Sequence, residues 1–176
     1  MNSKVFIIDT GRCIGCHACS VSCKDRAGLP DNYDLLRVER MESGSYPKVE
    51  MYYRVSHCFH CERPTCLEAC KFDAISKNED GYLKLDQVKC TRCGACIDAC
   101  PFDAIVELPG KTVRKCDGCN DEVSKGGDPI CVRACLTRAL SYSKVDENFV
   151  YEGTDEEIRN HRNAPAVIYV KKKTNL

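Results

Sequence analysis

The sequence predicts an α+β chain of two cysteine-rich modules, one inserted into the other, built from short helices and β-hairpins. Three observations predict it. All 16 cysteines of the 176 residues fall into four blocks of four. A short segment repeats around the last cysteine of three blocks. Turn residues divide short apolar runs that follow two of those copies. Apart from cysteine the chain is poor in core material, with no Trp and only 5 Phe. A domain of this size with so few large apolar side chains needs cross-links or metal to hold it together.

Block one is Cys13, Cys16, Cys19 and Cys23, with spacing C-x2-C-x2-C-x3-C. Block two is Cys58, Cys61, Cys66 and Cys70, C-x2-C-x4-C-x3-C. Block three, Cys90, Cys93, Cys96 and Cys100, repeats the first spacing and is followed by Pro101. Block four is Cys116, Cys119, Cys131 and Cys135, C-x2-C-x11-C-x3-C. Blocks one and three match the bacterial ferredoxin run. A [4Fe–4S] cube needs four thiolates at the corners of a tetrahedron. Cysteines at every third residue wrap three corners, and the fourth cysteine, three residues further on, serves the other cluster of a two-cluster module. The sixteen cysteines thus predict four [4Fe–4S] clusters. A disulfide framework fits poorly, since cysteines so close in sequence bridge badly. Structural zinc uses paired CxxC knuckles, and four cysteines within eleven residues depart from that pattern.

Segment 68–75 (EACKFDAI) echoes 98–105 (DACPFDAI) and, more weakly, 133–140 (RACLTRAL). Each copy reads as one helical turn carrying the last cysteine, then a small apolar turn against a cluster. Asp80-Gly81 lies between Ile75-Ser76 and Tyr82–Leu85, a hairpin signal. Pro109-Gly110-Lys111 lies between Ile105–Leu108 and Thr112–Arg114, a second one. Leu35–Arg40 and Val49–Val55 read as strands about Gly44-Ser45-Tyr46-Pro47. Residues 120–130, with Gly126, Gly127 and Pro129, read as a loop. Thr154-Asp155-Glu156-Glu157 reads as a helix start, and Ala166–Val170 as a last strand.

Cys70 and Cys90 are separated by room for one hairpin, so blocks two and three form one ferredoxin-like two-cluster module. Blocks one and four pair by elimination. The expected domains are an outer module of residues 1–56 and 107–145, an inserted module of residues 57–106 and a tail of residues 146–176. Closing the long outer loop costs entropy that grows only slowly with length.

Charge excludes other classes. Lys+Arg and Asp+Glu both number 26, so nothing marks a nucleic-acid binder. No apolar run nears the roughly 18 residues of a membrane span, so no span of its own is expected. The stretch Met1–Asp9 lacks the features of an export signal. A cytoplasmic address is the expectation, with co-export to the periplasm with a partner as the alternative. No activated nucleophile, phosphate loop or dinucleotide fingerprint is visible. The chain reads as a non-catalytic electron wire. Sixteen thiolates around four oxidised clusters would take its net charge from +0 to about −8.

Beyond cysteine, the sequence resembles the iron–sulfur electron-transfer (beta) subunits of the dimethyl sulfoxide reductase family of molybdopterin oxidoreductases. Polysulfide and thiosulfate reductases, formate dehydrogenases and pyrogallol transhydroxylase have similar subunits. The residues are Cys13-Ile14-Gly15-Cys16-His17-Ala18-Cys19, the Gly44–Pro47 turn, Cys58-Phe59-His60-Cys61-Glu62-Arg63-Pro64-Thr65-Cys66, Lys115–Cys119, Pro129-Ile130-Cys131 and Ala164–Val170. The resemblance implies a row of four clusters. Cys13, Cys16, Cys19 and Cys135 would hold the one nearest a molybdopterin-containing catalytic subunit. Cys116, Cys119, Cys131 and Cys23 would hold the second, and Cys58, Cys61, Cys66 and Cys100 the third. Cys90, Cys93, Cys96 and Cys70 would hold the distal one, facing a membrane anchor subunit or a soluble redox carrier. Cys93 stands where nitrate reductases of the family carry Trp, so no three-iron cluster is expected. The alternative partner is a hydrogenase or carbon monoxide dehydrogenase.

Pro follows the last cysteine only in block three. Lys24 and Lys71 occupy two of the other places and would raise cluster potentials as nearby cations, against their plain reading as solvated lysines. His60, between two cysteines, could donate to a cluster sulfur. His17, His57 and His161 read as surface or flanking residues, and Lys171-Lys172-Lys173 as a solvated end.

Overall fold

The computed structural model describes residues 4–144 and 167–170. Its first strand, β1 (Lys4–Asp9), leads to helix α1 (Ala18–Ala27) and then to a long ribbon, β2 (Arg37–Ser45) and β3 (Lys48–Ser56). Two short units follow. Helical turn α2 (Thr65–Glu68) precedes hairpin β4 (Ile75–Lys77) and β5 (Leu83–Leu85). Turn α3 (Ala95–Asp98) precedes hairpin β6 (Ile105–Leu108) and β7 (Thr112–Lys115), whose strands are joined by a 3-10 turn at Pro109–Lys111. Turns α4 (Asn120–Val123) and α5 (Ile130–Arg133) lead into β8 (Leu140–Lys144), and β9 (Val167–Val170) ends the described chain.

Strands and helical turns are thus mixed, and α1 alone among the described helices exceeds one turn. The three expected hairpins pair antiparallel, β2 with β3, β4 with β5 and β6 with β7. Leu35 and Leu36 lie outside β2; both are buried before the ribbon begins. Residues 120–130 are not wholly loop, because Asn120–Val123 forms a helical turn. The expected helix start at Thr154 lies outside the described residues.

The expectation that each helical turn carries the last cysteine needs correction. In three blocks the turn carries the third, Cys66, Cys96 or Cys131. The fourth lies one residue beyond the cap, its N–H closing the turn on Leu67, Ile97 or Val132 at 3.1, 3.1 and 3.2 Å. A four-residue helix exhausts its backbone bonds before reaching that cysteine. Only α1 is long enough to hold both Cys19 and Cys23.

The repeat ends in one conformation each time. Three residues after the last cysteine, Asp73, Asp103 and Arg138 take left-handed φ of 50°, 48° and 56°. The next residue, Ala74, Ala104 or Ala139, is buried. A strand then starts, at Ile75, Ile105 and Leu140.

A three-stranded sheet of order β8-β1-β9 closes the fold. β1 runs antiparallel to β8 (Phe6 opposite Tyr142) and parallel to β9 (Phe6 opposite Val167). Phe6 and Ile8 point into a core with Leu36, Val55, Phe59, Tyr82, Tyr142 and Tyr169. The Tyr169 hydroxyl donates to the Val55 carbonyl at 2.5 Å. A second core gathers Ile75, Leu83, Ile105 and Val113 about Cys66 and Cys96. Helix α1 packs on α5, and α2 on α3. Among the described residues no helix is long and apolar enough to cross a membrane.

Candidate iron–sulfur centres

No two of the cysteines are joined in a disulfide, and chain geometry presents them. Two residues after the first cysteine of each block the backbone turns left-handed, at Gly15 (φ 68°), His60 (43°), Arg92 (63°) and Gly118 (69°). Successive N–H groups in such turns form a concave nest that favours anions. Two of these positions require glycine for space as well. A Cβ on Gly15 would stand 2.4 Å from the Tyr53 ring, and one on Gly118 would stand 2.7 Å from the Tyr82 ring.

Four spatial sets result. Cys58, Cys61, Cys66 and Cys100 line one small cavity, walled by Phe59, Leu83, Phe102 and Ile105. Cys70, Cys90, Cys93 and Cys96 line another, walled by Ile75, Leu85 and Val113. Cys23, Cys116 and Cys119 line an open cavity with Arg26, Arg114 and Lys115 on its wall. Cys131 lies close enough to Cys119 and Cys23 for their charges to raise its thiol. Cys13, Cys16, Cys19 and Cys135 form the remaining set: burial pushes Cys19 up to about 11, and Cys13, Cys135 and Cys16 add to the rise. Each set joins three cysteines of one block with the last cysteine of another.

Charge also reaches from set to set. Cys131 feels the charge of Cys19 in the first set. Cys116 feels Cys58 across the next junction, and Cys66 feels Cys96 across the last. Exposed cysteines occur only in the two end sets, Cys16 in one and Cys93 in the other.

Burial dominates the thiol chemistry. It pushes Cys23 and Cys61 up to about 12 and Cys66 up to about 11, with neighbouring thiols adding to the rise. Cys70 goes the other way. Burial raises it, but N–H groups of Phe72, Ala74 and Ile75 outweigh that and bring it below the ordinary value. The equivalent donors at Cys135 are Ala139 N–H at 3.2 Å and Leu140 N–H at 3.4 Å. Soft thiolates in apolar walls, with N–H groups aimed at sulfur, suit iron–sulfur clusters. The residues present fit the group.

The flanking residues divide. Lys71 is exposed, and Lys24 is ion-paired with Asp34 at 3.1 Å, so neither is a buried cation. His60 is fully buried and accepts from the Leu83 N–H at Nδ1, 3.1 Å, which puts its proton on Nε2. His57 is buried too; burial holds it down to about 4, against the pull of its 2.7 Å contact with the Cys58 carbonyl. The side chain of His17 is exposed. His161 and Lys171–Lys173 lie outside the described residues. The sequence reading missed Lys115, which is buried. It stands directly before block four, and the ordinary prior that lysines are solvated hid it.

Arg26 of α1 holds block four against block one. Its guanidinium meets Asp117 at 3.3 and 3.4 Å, Glu122 at 3.0 Å, and Asp121.

Comparison with known proteins agrees with this chemistry. Residues 49–145 match the model of the 4Fe-4S dicluster domain. The chain is 38% identical over 152 residues to one of the chains of the anaerobic dimethyl sulfoxide reductase of Escherichia coli K12, covering 81% of this chain and 74% of that protein. It is 31% identical over 182 residues to the thiosulfate reductase electron transfer subunit of Salmonella typhi, covering 99% and 95%. With one of the subunits of the sulfite dehydrogenase of Allochromatium vinosum it shares 31% over 170 residues, covering 84% and 71%. The hydrogenase and carbon monoxide dehydrogenase alternative is not favoured. The sixteen cysteines serve four [4Fe–4S] clusters. The chain belongs to the iron–sulfur electron-transfer subunits of the dimethyl sulfoxide reductase family of molybdopterin oxidoreductases.

Proposed function

We propose that this chain relays single electrons between a molybdopterin (Mo or W) catalytic subunit and an external or membrane redox partner. Cys13, Cys16, Cys19 and Cys135 hold the cluster nearest the catalytic subunit. Cys23, Cys116, Cys119 and Cys131 hold the second, Cys58, Cys61, Cys66 and Cys100 the third, and Cys70, Cys90, Cys93 and Cys96 the distal one. The observation that carries this reading is the exchange of last cysteines between blocks, set by set. The exposure of Cys16 and Cys93 in the two end sets fits a row open at both ends.

The same exchange supports two ferredoxin-like modules, residues 57–106 inserted between 1–56 and 107–145. The packing of α1 on α5 and of α2 on α3 agrees with it. The compartment follows that of the catalytic partner.

A bound cluster supplies reversible one-electron chemistry. The chain does the rest. Its thiolates hold the iron. The N–H groups after Cys70 and Cys135 stabilise negative charge on sulfur, and Phe59, Leu83, Phe102 and Ile105 keep water from the third set.

Anaerobic purification with the native partner tests this. The complex is expected to contain molybdenum or tungsten and four paramagnetic centres on reduction. Nickel with neither metal, or zinc in place of iron, would refute the reading.

A further inference from the structure

Lys115 is the only Lys, Arg, Asp or Glu that is buried among the described residues, 7% exposed. It ends β7 and lines the cavity of Cys23, Cys116 and Cys119. Its Nζ donates to two carbonyls at 2.7 Å, those of Cys116 and Leu83. Leu83 belongs to β5 and lines the adjacent cavity, that of Cys58, Cys61, Cys66 and Cys100. One ammonium group therefore stands at the junction of two cysteine sets. The other group on Leu83 is used as well, its N–H donating to His60 Nδ1. An imidazole that accepts at Nδ1 is not doubly protonated, so His60 adds no second charge there.

Taking an ammonium out of water costs several kcal/mol unless something compensates it. Two carbonyl oxygens satisfy hydrogen bonds but carry no net charge. Anionic centres on both sides would supply that compensation. Lys115 lines the cavity of Cys116, and its acceptor Leu83 lines that of Cys66.

We propose that Lys115 is a positioning residue for electron transfer. Its positive charge raises the reduction potentials of the second and third centres together, which favours an electron on this pair while leaving the step between the two close to level. The inference rests on the ligand sets proposed above. Reduction adds one electron and one negative charge to a centre, and a nearby cation favours that state. The electron leaves the adjacent centre of the row, so no further oxidant or reductant enters.

The test is potentiometric titration followed by electron paramagnetic resonance on the intact complex, comparing native protein with Lys115→Gln, Lys115→Met and Lys115→Arg. Iron is measured in each. Both neutral variants are expected to lower the potentials of two centres by about tenfold in reduced-to-oxidised ratio, or 59 mV for one electron. The other two should stay in place, and Lys115→Arg should retain the native values. With full iron, an unchanged set of potentials overturns the proposal, as does an equal shift of all four. If the neutral variants lose iron while Lys115→Arg keeps it, the charge is needed even to hold the centres, which supports it. Iron loss in all three makes Lys115 a packing residue and overturns it. Failure of the underlying reading has a different signature, native protein with fewer than four centres.

Discussion

The ring of Tyr53 lies against the α-carbon of Gly15, so close that a Cβ there would stand 2.4 Å from Cε1. Tyr53 sits on β3, and Gly15 lies between Cys13 and Cys16. The ribbon thereby presses on the loop that presents the first set. Gly15→Ala adds the strain of a side chain at φ 68° to the overlap. A loss of about 2 kcal/mol or more is expected in denaturant unfolding of the loaded protein. Adding Tyr53→Ala should remove the overlap but leave the backbone strain, restoring only part of the loss.

Exchange of last cysteines separates two outcomes that the spacing alone leaves equal. Cys23→Ser should alter the paramagnetic signal of the centre at Cys116, Cys119 and Cys131. Cys135→Ser should alter the one at Cys13, Cys16 and Cys19. Each change confined to the block's own first three cysteines would contradict the sets.

Arg26 ties α1 to Asp117, Asp121 and Glu122. Those carboxylates are partly exposed, so solvent screens the network and about 1 kcal/mol is the expected contribution. Arg26→Met should lower thermal stability by that amount in low salt. The difference from native should shrink at 1 M salt; a deficit that ignores salt would point to lost packing instead.

Loading should release protons. Burial raises Cys19, Cys23, Cys61 and Cys66 to between about 11 and 12. At pH 7 these thiols are neutral, whereas ligands must be thiolates. Even at the ordinary value of about 8.5 in an unfolded chain a thiol is mostly protonated at pH 7, so cluster binding should strengthen as pH rises from 6.5 toward 8.5. Calorimetry in buffers of different ionisation enthalpy measures the protons. The iron-free chain is expected not to fold stably, and a cooperative unfolding transition of that chain would contradict this.

Local pattern carried much of the architecture. Cysteine spacing is a property of a few adjacent residues, and it announced cubane ligation before any fold was known. Turn chemistry did the same for β4–β5 and β6–β7, where Asp80-Gly81 and Pro109-Gly110-Lys111 lie between their own partners. The repeat also held a signal for β8. Leu140 follows Cys135 as Ile75 follows Cys70, and each begins a strand.

Other features needed the tertiary structure. β1 pairs with segments more than a hundred residues away, and no local rule names a distant partner. The four-residue helical turns end before the last cysteine because backbone bonding runs out. Lys115 reads as one more solvated cation until β5 and β7 close over it. The sequence by itself determined which residues can bind iron and how many clusters they serve, because ligand spacing is short-range. The tertiary structure alone decided which distant cysteines line a common cavity and that Lys115 is buried beside two of them, because those depend on packing across the whole chain.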